Sequence, residues 1–220
     1  LGPHVELPSS HITSEELYHF FSEEFGFDIQ ETVAIMGAHT LGTLTREHTG
    51  FDGPNGWVRD HLLLDNDYYH ELVGGQSADA SLDQLINLAP PWDKVRFNND
   101  DLPGIPNQPA WIAFPPALDG VGTTQIVMLN ADVALVRGLN HSNMANDGIV
   151  NCAFVDFFAA RDDIPRCPQA VKSFDFAVEY KFNNDLWLND FSHAFKKMLN
   201  HGYPYDPTLD CPGDLCVYSR

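Results

Sequence analysis

Positive charge is what this sequence has least of: 12 Lys and Arg stand against 31 Asp and Glu, a formal net charge of −19. Such a surface repels phosphate backbones and anionic headgroups, which argues against nucleic acid and membrane surfaces as partners. It keeps a concentrated protein soluble, or alternatively attracts cations such as Ca²⁺ or basic partners. Long apolar runs are missing too; none approaches the roughly 20 residues that a membrane-spanning helix needs. Cysteine is scarce, with four residues, Cys152, Cys167, Cys211 and Cys216, all in the C-terminal third. Their spacing is not that of paired zinc ligands, and an even count near the end suits two disulfides. Sequential pairing, Cys152 with Cys167 and Cys211 with Cys216, is the simplest of the three connectivities four cysteines allow. One glycosylation sequon, Asn140-His141-Ser142, is present; with the cysteines it points to a secreted, extracellular glycoprotein. The start at Leu1-Gly2-Pro3, without initiator Met or signal peptide, leads to the expectation of a mature, cleaved or truncated chain. What the chain does have is apolar mass: 44% hydrophobic residues, 15 of them Phe, enough to build a core at single-domain length.

Local signals place several helices. Thr13-Ser14-Glu15-Glu16 before Leu17, Phe20 and Phe21 is a capping signature, and Gly26 ends that helix. Asp28 to Glu31 repeats the signature and opens a second helix, which carries His39 near its C-terminal end and stops around Gly42. Thr49 to Trp57 is loop, with Gly50, Gly53, Pro54, Asn55 and Gly56 allowing nothing regular. Leu62 to Val73 suits a short helix. Residues 89–122 are rich in Pro, Asn and Asp and read as a long ordered excursion. Gln125 to Leu129 is a short apolar run, Asp132 to Val136 restarts a helical pattern, and Gly138 to Ser173 is loop. Asp185 to Asn200 forms the last helix, with Leu186, Trp187, Phe191, Ala194 and Phe195 on one face and Gly202 as its cap. No internal repeat is visible, and the pattern predicts an all-α fold.

The segment Thr32-Val33-Ala34-Ile35-Met36-Gly37-Ala38-His39-Thr40-Leu41-Gly42 resembles the proximal-histidine helix of plant, fungal and bacterial haem peroxidases, V-A-L-S-G-A-H-T-L-G, departing at Ile35 and Met36. Four further segments follow in the family's order. Gly50 to Trp57 is similar to its G-F-E-G-P-W, with two extra residues, and Leu64 to Tyr69 to its F-D-N-S-Y-F. Leu129 to Leu135 is similar to L-P-S-D-K-A-L, and Asn184 to Tyr203 to its closing helix. Trp57 brings the chain nearest to class I, the ascorbate and cytochrome c peroxidases, which the expected disulfides do not fit.

The resemblance implies a haem peroxidase-like helical fold of which residues 1–220 form the proximal, C-terminal half. It implies haem b with His39 as the axial iron ligand, a role known for proximal histidines, and with Gly37 and Ala38 leaving room for the macrocycle. Asp132 would accept the His39 Nδ1 proton and tune the iron. Trp57 would pack beside the ligating ring or relay electrons. A Ca²⁺ or K⁺ site is implied at Thr40, Val58, Asp60, Leu63 and Asp65, where Val58 departs from the expected Asp or Thr and leaves a carbonyl. The distal His and Arg of the family, in an R-x-x-F-H or R-x-x-W-H pattern, do not occur in this sequence. Two functions remain open. In one, a second polypeptide cut from the same precursor supplies the distal half, and H₂O₂ drives one-electron oxidation of small reductants. In the other, the chain is a catalytically inactive, peroxidase-derived extracellular protein that binds haem or another ligand, or serves storage or structure.

Overall fold

A computed structural model describes residues 12–74, 92–152 and 167–201. Helix α1 spans Ser14–Phe25 and α2 Ile29–Met36, continued by a 3-10 turn over Gly37–Thr40. Then come α3 (Arg46–Thr49), α4 (Asp67–Val73), β1 (Asp93–Phe97), β2 (Gln108–Ala113), β3 (Ile126–Met128), α5 (Asn130–Val133), α6 (Phe174–Phe182) and α7 (Asn184–Asn200). No helix among the described residues is long and apolar enough to cross a membrane.

The capping signatures form as the sequence predicts. Thr13 accepts the Glu16 amide while Glu16 accepts the Thr13 amide, and Gly26 closes α1 at φ +66°. Asp28 and Glu31 make the same reciprocal pair at the start of α2. The faces of α1 and α2 that carry Leu17, Phe21, Val33 and Ala34 are buried, and α2 packs against α7 through the buried Trp187 and Ala194.

The all-α expectation does not hold. Three strands form an antiparallel sheet in the order β1-β2-β3, with Lys94 opposite Trp111 and Trp111 opposite Met128. Two of them lie inside the Pro-rich stretch between residues 89 and 122, and the short apolar run becomes β3. Proline density hid them: Pro109 sits in the part of β2 that β3 does not reach, where its missing N–H leaves no ladder bond unmade on that side. The sheet is not peripheral to the fold's centre. Ile126, Val127 and Met128 are fully buried, and the Val127 amide donates to the Gly56 carbonyl at 3.0 Å. Through these contacts the sheet holds the loop ending in Trp57 on one side and the start of α5 on the other.

Smaller differences have local causes. The helix expected from Leu62 begins only at Asp67, because residues 61–66 turn back to meet the His39 turn. Helix α6 carries little amphipathic pattern and stands where no helix was expected. A disulfide joins Cys152 to Cys167; Cys211, Cys216 and Gly202 lie outside the described residues. Asn140 is exposed, and its side-chain carbonyl accepts the Ser142 amide at 2.9 Å.

Candidate functional site

The site begins with the way α2 ends. Tightening into a 3-10 turn alters the helix's hydrogen bonding, and two side chains reach the carbonyls of Val33 and Ala34. The Tyr69 hydroxyl donates to Val33 at 2.7 Å and Trp187 Nε1 to Ala34 at 3.1 Å. A Cβ on Gly37 would lie 2.4 Å from Trp187 Nε1 and 2.6 Å from the Tyr69 hydroxyl. The missing side chain at Gly37 therefore makes room for two buried rings on the inner side of the turn. Ala38 is exposed beside His39 and borders the open face.

His39 is held on three sides. Its Nδ1 lies 2.6 Å from Asp132 Oδ1, and Trp57 stacks on the ring at 4.1 Å with 14° between planes. Tyr68 meets the ring edge-on at 5.9 Å. The imidazole keeps 29% of its side chain exposed, whereas Asp132 has none. A carboxylate only accepts, so in the neutral ring Nδ1 carries the proton and Nε2 the lone pair.

Asp132 organises everything around it. Oδ1 also accepts the Tyr68 hydroxyl at 2.8 Å; Oδ2 accepts Trp57 Nε1 at 3.0 Å and the Leu129 amide at 2.7 Å. An unpaired carboxylate at this depth would cost several kcal/mol, and four donors offset that cost. Burial, with the Asp132 charge next to it, holds the Tyr68 hydroxyl well above its ordinary range, so Tyr68 stays a donor. The loop bearing Trp57 reaches the site because Gly56 adopts φ +70° against the Gly42 carbonyl, where a Cβ would lie 2.1 Å from that oxygen.

The residues read from the sequence as His39, Asp132 and Trp57 thus meet in one place. Sequence reasoning missed Tyr68, Tyr69, Trp187 and the Leu129 amide as parts of it. A buried carboxylate needs more donors than one His and one Trp, and that need was the available signal. Of the cation-site residues, Thr40, Leu63 and Asp65 converge: Thr40 Oγ1 lies 3.2 Å from Asp65 Oδ1 and 3.4 Å from the Leu63 carbonyl. The Asp60 carboxylate instead accepts the Leu62 amide at 3.3 Å, and Val58 is fully buried. No group of three or more His, Cys, Asp or Glu converges for a metal among the described residues.

A histidine whose Nδ1 is fixed by a buried aspartate can offer its other nitrogen to a metal, and known proteins similar to this chain are haem peroxidases. Cytosolic L-ascorbate peroxidase 1 of Oryza sativa subsp. japonica is 40% identical over 73 residues, 33% of this chain and 28% of the relative. Mitochondrial cytochrome c peroxidase of Yarrowia lipolytica is 24% identical over 203 residues, 92% of this chain and 41% of the relative. That of Neurospora crassa is 25% identical over 204 residues, covering 92% and 38%. The chain's relatives are therefore class I haem peroxidases, and it spans 28% to 41% of these relatives' length. No family model matches. Its fold is shared with the Leishmania major pseudoperoxidase, at a TM-score of 0.50 and 15% identity over 90% of this chain and 52% of the other.

Proposed function

We propose that this chain is the proximal half of a secreted haem peroxidase, in which His39 Nε2 would hold the iron of haem b and a second polypeptide would supply the distal groups. The observation that carries the reading is a partly exposed histidine whose Nδ1 is fixed by a buried carboxylate. The group bound there would supply one-electron chemistry driven by H₂O₂. The chain's own part is to hold and tune its ligand. Asp132 fixes the tautomer and raises the basicity of Nε2. Tyr68 shares the oxygen that His39 uses, which tempers that effect by drawing charge from Oδ1. Trp57 clamps the imidazole plane from its stacked face while tied to the same carboxylate, so ring and indole move as a unit.

Exposed Leu41, Leu62, Leu63 and Leu64 flank the His39 turn and offer apolar surface to the distal polypeptide. Thr40, Leu63 and Asp65, joined by Asp60 and the Val58 carbonyl, would take Ca²⁺ or K⁺ and brace the turn. The Cys152–Cys167 bridge and the exposed Asn140 support an extracellular setting.

Titration of the purified chain with ferric haem b tests the reading. A Soret band that saturates with one haem, and that His39→Ala abolishes, is the expected result. Equal uptake by the variant would sink the ligand assignment. If haem binds but neither the chain nor its native complex consumes H₂O₂ with a small reductant, the chain is a haem-binding protein without turnover.

A further inference from the structure

One set of buried rings is larger than holding His39 requires. From His39 the rings run through Tyr68 at 5.9 Å to Tyr69 at 5.1 Å, and from Tyr69 to Tyr180 at 5.4 Å. Trp187 stands beside Tyr69 at 6.0 Å. All four are fully buried or nearly so. Tyr180 lies on α6, and its hydroxyl donates to Asp190 Oδ2 on α7 at 2.8 Å. The same oxygen accepts Gln30 Nε2 at 2.8 Å, and Asn189 Nδ2 donates to Oδ1 at 3.1 Å. Asp190 is partly exposed to solvent.

We infer that Tyr180 is a protein-based one-electron oxidation site, fed from the His39 face through the rings of Tyr68 and Tyr69. The inference rests on the proposed haem site, since haem oxidised by H₂O₂ is the oxidant. The Tyr180 phenol gives one electron through Tyr69 and Tyr68 to that oxidant. Its hydroxyl proton moves along the existing hydrogen bond to Asp190 Oδ2. A neutral tyrosyl radical and a protonated Asp190 result. A small one-electron reductant in solution returns the electron, and Asp190 returns the proton.

Proton chemistry singles out Tyr180 among the rings. A phenol oxidised to its neutral radical must release a proton, so its partner must be a base. Tyr69 and Trp187 donate to backbone carbonyls, which cannot take one. Tyr68 and Trp57 donate to Asp132, whose carboxylate already serves four donors and is sealed from water. Of these rings, only Tyr180 pairs with a carboxylate that solvent reaches. Burial and the Asp190 charge hold its hydroxyl far above the ordinary range, so the proton leaves with the electron and not before.

The test uses the full chain reconstituted with zinc protoporphyrin, whose fluorescence anisotropy reports binding. A laser flash with hexaammineruthenium(III) as electron acceptor then makes the bound porphyrin an oxidant, and freeze-quenched electron paramagnetic resonance identifies the radical. The expected result is a tyrosyl signal that disappears in Tyr180→Phe and forms roughly 100-fold more slowly in Asp190→Asn, which keeps the hydrogen bond but cannot accept the proton. Porphyrin binding must be unchanged in both variants. A tyrosyl signal identical in wild type and both variants, or none in wild type with porphyrin bound, overturns the relay alone. Failure of the wild-type chain to bind porphyrin overturns the relay and the proposed haem site together.

Discussion

At the scale of single residues, Asp132 is where packing and chemistry coincide. It accepts from the His39 imidazole, the Tyr68 hydroxyl, the Trp57 indole and the Leu129 amide, with no exposed surface of its own. Removing it leaves four donors without acceptors in a site that water does not reach. Asp132→Ala is therefore expected to lower the unfolding free energy by about 3–5 kcal/mol, read from the urea midpoint at constant slope. A loss below about 1 kcal/mol would mean that water enters and satisfies the donors. His39, Trp57 and Asp132 were legible because each sits in a short, ordered motif. Tyr68 was on the page as part of such a motif, but nothing local says that its hydroxyl reaches a carboxylate 64 residues away. Gly37 shows the same limit. Its smallness is visible in the sequence, whereas the rings of Tyr69 and Trp187 that need the space come from two other helices.

At the scale of elements, α1, α2 and α7 were readable because capping pairs and helical periodicity are local. The sheet was not, since its strands are three to six residues long and pair across loops. The 3-10 turn was equally hidden, as the donors that terminate α2 belong to α4 and α7. Helix α4 also carries a titratable consequence. Glu71 on its inner face is buried, and that burial raises its carboxyl above the usual value of 4.5 despite the Arg59 guanidinium at 2.6 Å. The folded state then binds the Glu71 proton more tightly than the unfolded chain does. Its contribution to stability is fully present below 4.5 and is lost as pH rises through the folded value. Glu71→Gln removes this slope, so the difference in stability between wild type and variant should shift in the variant's favour as pH climbs just above the carboxylate range. A difference that stays flat from about pH 4 to about pH 7 would show that the Glu71 carboxyl binds its proton equally in the folded and unfolded states, the Arg59 guanidinium having cancelled the effect of burial.

At the scale of the whole molecule, charge is the feature that composition alone states and that no single contact reveals. The described ion pairs are mostly at the surface: Arg46 with Asp101, Arg96 with Asp147, Lys172 with Glu15 and Lys197 with Glu31. Pairs of that kind contribute about 0–1 kcal/mol each. Against them stands the mutual repulsion of a chain with net charge −19, which acts on the compact state more than on the expanded one. Screening shortens both interactions, from a Debye length of about 30 Å at 0.01 M salt to about 3 Å at 1 M. Repulsion spread over many acids loses more than the few close pairs do, so the melting temperature should rise as NaCl is added. A fall would mean that the ion pairs, not the net charge, set the balance. Calcium separates a site from an atmosphere. At matched ionic strength CaCl₂ should raise the melting temperature beyond NaCl if the oxygens of Thr40, Leu63 and Asp65 take the ion, and Asp65→Asn should remove that excess while leaving the NaCl response intact. An excess that survives Asp65→Asn would place the calcium elsewhere on the acidic surface.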